Sequence, residues 1–130
     1  MSDPKGALQL LATQLREEGT PISPHVIDPG DEAAFASTGK YALVLEAVRE
    51  GYLLHYGEPR LLAGHDADLA LLAGDYLYAL GIERLAALGD TDAVLALADL
   101  ISASAQLHTE GREDEVADRW RAAVEAISAS

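Results

Sequence analysis

The stretch LALLAGDYLYALGIERLAALGD, Leu69 to Asp90, decides the fold. From Leu69 to Leu88 it is apolar around nearly its whole circumference, and only Gly74, Asp75, Gly81, Glu83 and Arg84 interrupt it. A run of this length without alternation or proline is a helix, and a helix apolar on every side is one that is surrounded. Gly74 and Gly81 lie seven positions apart and so stand one above the other. Glycine inside a helix costs about 1 kcal/mol against alanine, and the usual return is close approach of a neighbouring helix. Asp75 shares a face with Leu71, Leu72, Tyr78, Ala79 and Ile82. The expectation is that this carboxylate is buried and braced by adjoining helices. Tyr41, Arg49, Tyr52, His55 and His108 are its candidate partners, because a buried acid must be paired.

Working outward, helical signals recur on both sides. DPKGALQLLATQLREEG reads as a first helix with Asp3 as cap, Pro4 in the first turn and Gly19 as stop. Pro21, Pro24 and Pro29 then forbid a regular helix, which predicts an extended connector, with a short helical turn at Asp31 to Ala36. KYALVLEAVREGYLLHYG is the second main helix. Its stripe of Tyr41, Leu45, Val48, Tyr52 and Tyr56 faces inward, while Glu46, Arg49 and Glu50 face the other way. After a loop, Asp66 or Asp68 caps the central helix, and Gly89 ends it. Asp90 or Thr91 opens the next, which runs to Gly111. The last helix buries Val116, Trp120, Ala123 and Ile127. No run alternates as a half-buried strand does. The reading is all-α, a bundle of about five helices. Residues 1–40 form an N-terminal helix and Pro-rich connector, and residues 41–130 a helical core domain.

The totals narrow the function classes. The chain of 130 residues is the size of one ordinary domain, and 49% apolar content is enough for a core. The formal net charge is −13, and no basic stripe exists, which argues against nucleic acid and against an anionic membrane surface as partners. Without cysteine there is no disulfide, thiolate metal site or thiol nucleophile. No stretch is long and apolar enough to predict a membrane span, and a cytoplasmic location is expected.

The segment LLAGDYLYALGIERLAALGD resembles a core helix of the trans-isoprenyl diphosphate synthases (polyprenyl synthetases), where two apolar residues precede Ala-Gly-Asp-Tyr-Leu and a Gly-Asp turn leads to the next helix. Leu71, Leu72, Ala73, Gly74, Asp75, Tyr76 and Leu77 follow that order, with Gly89 and Asp90 at the turn. Gln106 and Glu110 are the nearest equivalents of the polar segment on the following family helix. The resemblance spans residues 41–111 and implies isoprenoid-synthase-like core helices. Two Asp-rich motifs that hold Mg²⁺ against a substrate diphosphate in active synthases are missing: GHDAD supplies only Asp66 and Asp68. The resemblance is therefore to a small non-catalytic subunit. It implies association with a catalytic prenyltransferase subunit or with itself, and no catalytic residue; the all-round apolar central helix on a chain of 130 residues separately leads to the expectation of an oligomer. The resemblance implies no cofactor, with Mg²⁺ entering only alongside a diphosphate. Any activity would be of the polyprenyl transferase kind.

The candidate binding residues are Tyr41, Tyr52, Asp75 and Tyr78, where a tyrosine-rich face would line a cavity for a prenyl chain; the same stripe also reads as core packing. Asp66 and Asp68, with Glu58 and His65 nearby, suit helix capping better than a metal site. The four histidines have no paired spacing, and no nucleophile elbow or phosphate loop occurs. Two other readings remain: a helical subunit of a larger assembly unrelated to isoprenoids, and a small metal-dependent enzyme using Asp66, Asp68, Asp75 and tyrosines.

Overall fold

The computed structural model describes residues 4–30 and 40–128. Among them are five α-helices and no strand: α1 (Pro4–Glu17), α2 (Ala42–Tyr56), α3 (Ala67–Ala87), α4 (Thr91–Thr109) and α5 (Val116–Ser128). This is the all-α class and helix number expected. The helical turn expected at Asp31 to Ala36 lies outside the described residues. The chain divides into two compact units, Met1–Gly81 and Ile82–Ser130.

In the first unit α1 packs against α2. Leu8, Leu11, Ala12 and Leu15 enter a core shared with Ala47 and Leu54 of α2, Leu61 and Leu62 of the following loop, and Ala73 and Leu77 of α3. The end of α1 is closed by Gly19 in the left-handed region at φ 67°. There Ser23 Oγ donates to the Leu15 carbonyl at 2.6 Å, satisfying one of the carbonyls a helix end leaves open. The described part of the connector, residues 18–30, is bonded to the loop after α2. Ile27 N donates to Leu61 O at 2.7 Å and Ala63 N to His25 O at 3.0 Å, around an antiparallel bridge between Val26 and Leu62.

The helix enclosed on all sides is α2, not α3. Ten of its residues are buried, among them Glu46 and Glu50, both with 0% exposure. This corrects the expectation that these two acids face away from the core. The reason is Arg60, which the loop after Pro59 folds back onto α2. Its Nη1 reaches Glu46 Oε1 at 2.7 Å and its Nε reaches Glu50 Oε1 at 2.9 Å. Glu50 Oε2 also accepts from the backbone N–H of Arg60 at 2.8 Å and of Leu61 at 2.9 Å. Glutamates four apart on a helix share a face, so one guanidinium spans both.

In the second unit α4 packs against α5. Asp90 caps α4 by accepting from Ala93 N at 3.0 Å. Ala93, Leu97, Leu100, Ser104 and Leu107 follow at helical spacing on its buried face. A glycine turn at Gly111, φ 72°, leads to α5, whose Val116, Trp120 and Ile127 are buried as expected, with Ala123 half-buried. Among the described residues no helix is long and apolar enough to cross a membrane.

Removing one partner of a buried ion pair strands the other charge, at a cost of about 3–5 kcal/mol, whereas an exposed pair contributes under about 1 kcal/mol. Arg60→Leu, which leaves two buried carboxylates uncompensated, should therefore lower the unfolding free energy by about 3–5 kcal/mol. Arg16→Leu, which breaks only the exposed Arg16–Asp28 pair, should change it by less than about 1 kcal/mol. Urea denaturation of the two variants side by side checks the difference.

Candidate functional site

The chemistry-bearing side chains of the first unit gather where α3 crosses α2. Gly51 of α2 and Gly74 and Gly81 of α3 make the crossing close. A Cβ at Gly51 would stand 2.8 Å from Tyr78 Cδ1 and 2.9 Å from the Gly74 carbonyl oxygen. One at Gly74 would run into the His55 ring, and one at Gly81 into Val48. The expectation of close helix approach at both α3 glycines thus holds, and the neighbour is α2.

Above the crossing, α2 contributes Tyr52, His55 and Tyr56, and α3 contributes Asp75 and Tyr78. His55 stacks on Tyr78 with ring centroids 5.3 Å apart and an interplanar angle of 30°. Tyr52 and Tyr56 lie 5.2 Å apart, and the Arg49 guanidinium lies 5.2 Å from the centre of the Tyr52 ring. His55 Nε2 is a buried atom 3.2 Å from Asp75 Oδ1, close enough for an ion pair but off the line of a hydrogen bond. Burial, with Tyr56, Tyr52 and Asp75 nearby, pushes the Tyr78 phenol well above its ordinary value of 10.0. Burial lowers the Arg49 guanidinium, with the neighbouring Tyr52 opposing it.

Asp75 is where the structure departs most from expectation. His55 was among the partners its sequence neighbourhood offered, but the carboxylate is not buried: its side chain is 74% exposed. Leu71 and Leu72 beside it are 55% and 57% exposed. The face of α3 that holds Asp75 therefore points outward, and α3 meets the core through Ala73 and Leu77 instead. Of the four candidate binding residues, Tyr52, Asp75 and Tyr78 come together. Tyr41 stands apart at the start of α2, buried, with Lys40 Nζ 5.0 Å from its ring centre. The step of eleven positions from it to Tyr52 amounts to about 16 Å of helix.

The remaining candidates fall to structural roles or to the surface. Asp66 caps α3, its Oδ1 accepting from Leu69 N at 2.8 Å. Gln106 Nε2 donates to Glu110 Oε2 at 3.2 Å on an exposed stretch of α4. Among the described residues no group of three or more His, Asp or Glu side chains is placed to hold a metal ion. In the second unit an open groove of about 250 Å³ runs between α4 and α5, floored by Leu100 and flanked by Asp99 and Arg119. Tyr76, named in the sequence only as part of the Leu71–Leu77 motif, donates its hydroxyl to Glu18 Oε1 at 2.7 Å and ties α3 to the end of α1. Compared with protein-family models, curated proteins and solved structures, the chain gives no match.

Two outcomes follow from the crossing. In Gly51→Ala the gain in helix propensity is about 1 kcal/mol, but the methyl group meets a carbonyl oxygen that cannot move, so overpacking of about 1–3 kcal/mol should win and Tm should fall. The second concerns alkali. Folded Tyr78 keeps its proton after the unfolded chain has released it, so its contribution to stability is whole below about pH 10 and is lost as pH rises toward the folded value. Wild-type stability should therefore drop more between about pH 9 and pH 11 than that of Tyr78→Phe. Denaturation curves at the two pH values measure this, and tyrosinate absorbance should show one fewer late-titrating group in the variant.

Proposed function

We propose that this protein is a non-catalytic helical subunit that works by association with a catalytic prenyltransferase, in isoprenoid biosynthesis. The observation that carries the reading is the outward face of α3. Leu71 and Leu72, at 55% and 57% exposure, stand in the same LLAGDYL segment that resembles the polyprenyl synthetase core helix. Adjacent exposed leucines on a long helix suit a surface that another protein covers. The alternation within this segment supports the same view, because Ala73 and Leu77 fasten the helix to its own core while Leu71 and Leu72 remain available. The resemblance supplies the class of partner: two-component synthases pair a catalytic chain with a smaller one lacking the Asp-rich motifs. The His55–Asp75–Tyr78 cluster borders this face and shapes its edge.

Mixed with a purified prenyltransferase from the same cell, the protein should co-elute as a complex. Leu71→Glu combined with Leu72→Glu should weaken that complex about tenfold or more, as expected when an interface centre is disrupted. Alone with Mg²⁺, an allylic diphosphate and isopentenyl diphosphate, it should form no product. Chain elongation by the protein alone, or failure to bind any prenyltransferase of that cell, overturns the proposal.

A further inference from the structure

The outward stripe of α3 is not simply apolar. Asp68, Leu71, Leu72, Asp75 and Ala79 are all exposed, and their spacing places them along one face of the helix. Two carboxylates thus bracket two leucines. The acids are seven positions apart, which is about 10.5 Å along the axis. Asp75 has His55 Nε2 3.2 Å from one oxygen, yet 74% of its side chain remains open.

We infer that this stripe docks a basic amphipathic helix of a partner protein, whose apolar side chains cover Leu71 and Leu72 and whose Lys or Arg residues, spaced about one heptad apart, pair with Asp68 and Asp75. The inference rests on the proposal that the protein works by association, and it supplies the chemistry of what is bound. Charge complementarity selects this occupant. A second copy of the chain would bring the same acids against these acids, on a molecule whose formal net charge is already −13 with only 9 Lys and Arg. Like charges across an interface oppose association. An anionic lipid surface is repelled for the same reason. A helix with apolar residues and cations in alternation meets both halves of the pattern, and its cations also speed encounter with so acidic a protein.

The probe is a fluorescein-labelled synthetic helix of about 18 residues, roughly 27 Å long, with leucines on one face and two lysines seven apart. Fluorescence anisotropy follows its binding to the full chain at about 0.15 M salt, where the diffuse field is screened beyond about 8 Å. Asp68→Asn with Asp75→Asn, and separately Leu71→Ser with Leu72→Ser, should each weaken binding about tenfold. A control that removes the same charge elsewhere, Asp92→Asn with Asp118→Asn, should weaken it less than about twofold. Circular dichroism melts show that each variant is folded. Equal loss in both carboxylate pairs overturns the inference, as does no effect in the leucine variant or no binding to the wild type. A dimer of the chain alone that the leucine variant dissociates also overturns it, since a second copy is then the occupant. Capture of a prenyltransferase that is indifferent to Asp68 and Asp75 removes the inference and leaves the proposed function standing. Binding of the probe at the stripe with no prenyltransferase captured does the reverse.

Discussion

One guanidinium, that of Arg60, holds two carboxylates inside the first unit, and the arrangement of α2 depends on it. An isolated buried carboxylate is expensive, and Glu46 and Glu50 are both fully enclosed. They are tolerable only because the same side chain binds both while the backbone of Arg60 and Leu61 meets the second oxygen of Glu50. That geometry draws the loop after α2 down onto the helix, and the loop in turn carries Leu61 and Leu62 into the core. The same loop bonds through Leu61 and Ala63 to the connector after α1. A salt bridge between buried ions adds little net stability over a well-packed apolar alternative, so its contribution lies in geometry: few other placements of the loop satisfy two buried acids.

With α2 enclosed, the role of α3 changes. Its three-glycine contact with α2 lets the Gly51 and Gly74 backbones meet and gives the His55 ring and the Val48 side chain room against Gly74 and Gly81. The tyrosines and His55 fill the rim of that contact, and Leu71, Leu72 and Asp75 stand beyond it. With α2 on one side of α3, and α1 with the loop after α2 meeting Ala73 and Leu77, Leu71 and Leu72 remain exposed.

The helices and their ends were legible because local chemistry sets them. Pro4, Asp66, Asp90, Gly19, Gly89 and Gly111 mark starts and stops by effects that act within a few residues. The close approach at Gly74 and Gly81 was legible for a similar reason, since only packing explains glycine there. What stayed hidden was long-range. Nothing in VLEAVREG distinguishes a solvated Glu46 and Glu50 from a buried pair; the distinction comes from Arg60, beyond the end of the helix. The one available signal was a lone arginine between Pro59 and Leu61, in a loop bounded by apolar residues. The burial expected of Asp75 failed through the opposite error. Average hydrophobicity suggested that α3 was enclosed, but one chain of this size had already spent its covering surface on α2. Of the four candidate binding residues, Tyr52, Asp75 and Tyr78 come together at the α2–α3 crossing, whereas Tyr41 sits too far along α2 to join them.

The aromatic residues are partitioned in a way that has a practical meaning. All five tyrosines, at positions 41, 52, 56, 76 and 78, belong to the first compact unit, and the sole tryptophan, Trp120, is buried in the second. The molecule therefore carries two built-in chromophores with separate addresses. Emission excited selectively in indole follows the environment of α5, and near-ultraviolet dichroism of the phenols follows the first unit. Whether the two units melt as one cooperative body or in succession can be read from unlabelled protein by comparing the two signals along a single denaturation curve.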